Sequence, residues 1–247
     1  MLEEVLRRDR LVTAAGIAVL AALAWAYVTD AAAPSAHAGM MMAMPGLAWL
    51  AGMWFVMMVA MMLPSAAPTI LLFSTVSSRR RRQGVPAVPA AVFTAGYVLV
   101  WTLYAVLAAG VQWELHRRML LSPAMASASP ALTGGLLVAA GLYQWLPIKR
   151  ACLSHCRSPL GFFSSEWREG AGGALWMGMR HGSFCVGCCW LLMALLFVVG
   201  VMNLPWVVGI AGLVLVEKVV RGGAWVGRVA GLAMVGWGLW VIGGVGG

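Results

Sequence analysis

Residues 11–28 run from Leu11 to Val28 without one charged side chain, and comparable apolar runs recur along the chain. About 20 such residues cross the ~30 Å hydrocarbon core of a bilayer. Inside that core every backbone N–H and C=O must find its partner within the protein, so a spanning segment is a helix or part of a closed barrel. Runs this long predict helices, with spans over 11–28, 47–76, 86–111, 131–147, 176–203, 205–220 and 224–243. Pro64 and Pro68 fall inside the second span and predict a bend or break there. Residues 148–175 read as a polar segment between spans. A hydrophobic content of 62% with only 10% charged residues excludes an ordinary soluble domain. The expected fold class is an all-α polytopic membrane helix bundle of six to seven, about seven, transmembrane helices, forming one domain over 1–247.

Charge sets the expected orientation. With the N-terminus in the cytoplasm, only Arg117 and Arg118 of the 17 basic residues lie outside. Basic loops stay on the cytoplasmic side, so this orientation satisfies the positive-inside rule. The net charge of +9 is spread between apolar segments and therefore implies no nucleic-acid partner. No cleaved signal peptide is expected, although the small residues at 33–38 resemble a cleavage site and leave processing there open.

Against this background, the stretch from His181 to Met193 is unusual. It reads His181-Gly-Ser-Phe-Cys185-Val-Gly-Cys188-Cys189-Trp-Leu-Leu-Met193. At about 100° per residue, His181, Cys185, Cys188, Cys189 and Met193 share one helix face. Gly178 and Gly182 fall on the same face and leave room for a second backbone or an ion. Thiolates and thioethers suit Cu(I), thiolates suit Zn(II), and imidazole suits both. The alternative is a packing face, because a free Cys behaves as a small hydrophobe.

A second soft cluster, Cys152, His155 and Cys156, repeats the i, i+3, i+4 spacing. The expected topology places both clusters at the inner side. Methionine supplies a third signal. Met40, Met41, Met42, Met44, Met53, Met57, Met58, Met61 and Met62 make up nine of the 17 Met. Met53, Met57 and Met61 form an i, i+4, i+8 stripe that Met58 and Met62 widen, all ahead of Pro64. Such a stripe can be core packing. Together with His37 on the outer loop, it also matches Cu(I) capture by thioethers in an oxidising compartment, since Met forms no disulfides. Glu217, Lys218 and Asn203 are the polar groups near span ends, as functional candidates or as snorkelling side chains. Five Cys, none on the expected outer face, argue against a disulfide framework.

The chain resembles a bacterial family of predicted metal-binding integral membrane proteins, a domain of unknown function whose members are sometimes labelled copper chaperones. The matching stretches are Met53 to Pro68, Gly141 to Pro159, Gly178 to Met193, Met202-Asn203 and Glu217-Lys218. They cover about 40–220 and leave out the first and last helices. The resemblance implies metal binding in the bacterial inner membrane. Candidate partners beside the lipid bilayer and the metal ion are a soluble metallochaperone, or an oxidase or oxygenase under assembly. No Gly-x-x-x-x-Gly-Lys motif is present, so movement of an ion would be passive, ion-coupled or a hand-off.

The leading expectation is therefore a non-enzymatic membrane protein for Cu(I), with Zn(II) as the other metal. Its ligands are drawn from Met53, Met57, Met58, Met61, Met62, Cys152, His155, Cys156, His181, Cys185, Cys188 and Cys189. The competing expectation is a thiol–disulfide relay through Cys185/Cys188 and Cys152/Cys156, because Cys-x-x-Cys serves redox chemistry as well as metals.

Overall fold

A computed structural model of the chain describes residues 2–33, 46–121, 127, 129–201 and 203–244. His37, Met40 to Met42, Met44 and Met202 lie outside the described residues. The described chain is all-helical, with α1 (Leu2–Ala31), α2 (Leu47–Arg82), α3 (Ala90–Arg117), α4 (Pro130–Tyr143) and α5 (Pro147–Arg157). It continues through α6 (Pro159–Glu166), α7 (Gly170–Ala194), the single turn α8 (Leu196–Val199), α9 (Leu204–Val219) and α10 (Gly223–Gly243). α1, α2, α3, α10 and α7 continued by α8 are each long and apolar enough to cross a membrane. α4 and α5 pass the same test as a pair bent by 64°. The expected sixth span, α9, has 16 residues and falls short of the usual spanning length.

α2 occupies the centre and buries side chains around its circumference from Leu50 to Ser78. It does not break at Pro64 or Pro68 but passes both as one helix of 36 residues. Two N–H groups are lost, at a cost of order 3 kcal/mol each in an exposed helix. Burial on all sides offsets that loss, since tertiary packing supplies most of a helix's stability. α1 lies antiparallel along α2. Asp9 accepts a hydrogen bond from Ser78 Oγ at 2.7 Å and pairs with Arg81, and Thr13 Oγ1 sits 3.1 Å from Ser74 Oγ.

Residues 148–175 depart most from expectation. They form α5 and α6 and run back along α7 instead of lying outside the bundle. Cys152 meets Gly187, the Phe162 ring lies 5.5 Å from His181, and Arg168 N donates to Met177 Sδ at 3.4 Å. Those pairings step down α7 as the sequence steps up, which makes the segment antiparallel to it. Prolines explain the misreading. Pro147 and Pro159 stand at the first helical position of α5 and α6, where a missing N–H costs nothing. Glycine brings the other contacts close. A Cβ at Gly178 would run into Phe93 O, and one at Gly96 into Leu175 O, so α3 and α7 touch backbone to backbone. Gly141 and Gly231 do the same for α4 and α10.

Candidate metal centre

The close α3–α7 contact determines what surrounds the cysteines. α7 turns Met177, His181, Cys185, Cys188, Cys189, Leu192 and Met193 into the bundle, the face its spacing predicts. Cys185, Cys188 and Cys189 are all 1% exposed or less. From α3, the Tyr97 hydroxyl donates to Met62 O at 3.0 Å and lies 3.0 Å from Cys185 Sγ. From α2, Met62 Sδ lies 3.8 Å from Cys189 Sγ. From α9, Lys218 Nζ lies 2.8 Å from Cys185 Sγ and donates to Ser65 Oγ at 3.1 Å. From α5, the Cys156 thiol interacts with those of Cys185 and Cys188. Five elements, α7 included, therefore meet at the thiol cluster.

The thiols are close but not arranged as a finished cage. Cys188 and Cys189 turn their S–H groups back onto Cys185 O, at 3.1 and 2.9 Å. Among the described residues, no three His, Cys, Asp or Glu side chains converge on a point where an ion could sit. Holding one requires rotation of those thiols off the carbonyl and loss of their protons, since the thiolate is the ligand form. The five cysteines are free thiols.

The remaining expected ligands divide. Cys152 is half-buried, with its sulfur where a Cβ on Gly187 would lie 2.8 Å away. His155 does not share the inward face of Cys152 and Cys156. It is exposed, with Nδ1 2.8 Å from Ala151 O and its ring stacked on Phe184 at 4.2 Å. His181 is buried one turn before Cys185, among Phe93, Tyr97 and Phe162, and its Nδ1 has no hydrogen-bond partner among the described residues. Met53, Met57, Met58 and Met61 are all buried on α2. Met53 stands nine residues before Met62, about 14 Å along the axis.

Polar partners were the part missed from sequence. Tyr97 and Ser65 carry no motif, and Lys218 is recognisable only as an ionisable group near a span end. Beside the thiols, Lys149 Nζ donates to both carboxylate oxygens of Glu217, at 2.9 and 2.8 Å, and to Gln144 Oε1. Arg157 caps the same turn by donating to Glu217 O at 2.6 Å and Val220 O at 2.9 Å. Adjacent residues on a helix diverge by about 100°, so Glu217 and Lys218 face different neighbours.

Residues 51–241 match a family described as PpoB2, copper chaperone. The chain belongs to that family. No curated protein and no solved structure matches it. The PpoB2 match runs on through most of α10, which the resemblance had left outside, and takes in every element around Cys185. The family's description is consistent with copper binding and with a role other than enzyme.

Proposed function

We propose that the chain is a multi-pass protein of the bacterial inner membrane, N-terminus in the cytoplasm, that binds Cu(I) and hands it on. The contact between Cys189 Sγ and Met62 Sδ carries this reading, because it joins the methionine stripe to the thiol cluster. In it, Met53, Met57, Met58 and Met61 receive the ion, and Met62 with Cys156, Cys185, Cys188 and Cys189 holds it. His181 stands by with a ring nitrogen unpartnered among the described residues. Cys152, with His155 on the same helix, lies towards the surface. Thiolates bind Cu(I) more tightly than thioethers do, which favours movement from the Met stripe towards the thiols. The recipient is a soluble metallochaperone, or an oxidase or oxygenase under assembly.

Zn(II) would use the thiols alone in a tetrahedral site and gain nothing from Met62. A thiol–disulfide relay would need an attacking partner to reach a sulfur, and the three α7 thiols are shut away from solvent. The test is Cu(I) competition against a chelator on purified protein. The variant Cys185→Ser with Cys188→Ser is expected to lose far more affinity than Met57→Leu with Met61→Leu. Retention of all copper by the Cys pair, with loss in the Met pair, would move the main site onto α2.

A further inference from the structure

Lys218 has no carboxylate partner among the described residues. Its sequence neighbour Glu217 is taken up by Lys149, through two contacts of 2.8 and 2.9 Å. Arg157, the other cation on this turn, is spent on the carbonyls of Glu217 and Val220. Lys218 itself is buried, 2.8 Å from Cys185 Sγ and 3.1 Å from Ser65 Oγ. A fixed positive charge thus stands against the thiol cluster with no carboxylate to cancel it.

Resting on the copper reading above, we propose that Lys218 is a specificity-determining residue that makes this centre select monovalent soft cations over divalent ones. The reason is charge, and the repulsion that Lys218 itself adds does not depend on how many thiolates take part. For any given ligand set, a divalent ion carries one more positive charge than a monovalent ion. That extra charge sits beside a buried ammonium, where low dielectric makes the repulsion large. With two thiolates, a monovalent ion and Lys218 sum to zero, whereas a divalent ion leaves a buried net charge, which is costly. Zn(II) reaches neutrality only by ionising a third thiol, one more proton lost than Cu(I) requires. Lys218 so disfavours Zn(II), which thiols alone would otherwise accept.

Binding of Cu(I), Ag(I), Zn(II) and Cd(II) to the purified full chain tests the idea, with Lys218→Gln, Lys218→Arg and Ser65→Asp beside the unaltered protein. Lys218→Gln removes the charge and is expected to shift the monovalent-to-divalent affinity ratio towards Zn(II) and Cd(II) by about ten-fold or more. Lys218→Arg keeps the charge and should keep the ratio. Ser65→Asp leaves the lysine in place but cancels its charge, and should move the ratio in the same direction as Lys218→Gln. Either neutralising variant suffices if the other does not fold. Equal loss of all four metals would reduce Lys218 to a packing role and overturn the proposal, as would an unchanged ratio. A failure of the unaltered protein to bind Cu(I) would instead overturn the copper reading.

Discussion

At Cys185 the chemistry is set by what surrounds the sulfur. Tyr97 Oη, Lys218 Nζ and the Cys156 thiol approach it from three different helices. Two more thiols are held on its own carbonyl. Such thiols are poised to exchange a weak S–H···O bond for a metal bond, which costs little because S–H is a poor donor. Met62 differs from the rest of the stripe because its sulfur touches a thiol. Met62→Leu conserves volume, so stability should change by less than ~1.5 kcal/mol. Cu(I) affinity should nevertheless fall by about ten-fold, the equivalent of ~1.4 kcal/mol. Met53→Leu, about two and a half turns away, should leave affinity unchanged. Chelator competition on the two variants measures both. Equal effects would show that Met62 is packing and nothing more.

Among the elements, the α3–α7 pair governs the centre, because it places Tyr97 on Cys185. Gly178→Ala would push a methyl group into Phe93 O. Overpacking of this kind typically costs about 1–3 kcal/mol. Gly172, in the same helix, has nothing within 4 Å of a Cβ and should accept Ala at no cost or with a small gain. A thermal unfolding series should order the variants accordingly, with only Gly178→Ala also weakening metal binding. The inward face of α7 was legible in the sequence because three Cys and a His at i, i+4, i+7 and i+8 leave one arrangement on a helix. α5 and α6 were not. Eleven and eight residues hold too few turns for a clear period, their charges suggest a loop, and their prolines look like stops although they are starts. Continuity of α2 through two prolines was equally hidden, because it depends on neighbours distant in the chain. Lys218 shows the same limit. Its charge can be read from one letter, but its partner, 33 residues earlier in the chain, can only be seen in the fold.

Across the whole molecule the basic residues occupy two levels. Asp9 with Arg81, and Glu169 with Arg80, hold the starts of α1 and α7 at the arginine end of α2. A second set rings the thiol centre. Arg157, at the end of α5, donates to the last turn of α9, and Arg228 stacks over Trp145 at 5.7 Å and Trp225 at 5.2 Å. The proposed orientation makes the arginine end of α2 the cytoplasmic surface and sets this second level deeper, since Lys218 meets Ser65 sixteen residues before Arg81, about 24 Å along α2; Cys152 is half-buried there and the α7 thiols are buried. A membrane-impermeant maleimide should therefore leave all five cysteines unmodified in intact cells. In inverted vesicles it should modify Cys152 well ahead of Cys185, Cys188 and Cys189, as mass spectrometry of the digested protein would report. Prior loading with Cu(I) should leave Cys152 labelling the least changed, since it lies outside the proposed ligand set. Strong modification from outside intact cells would reverse the orientation, and with it the direction in which the ion is proposed to travel.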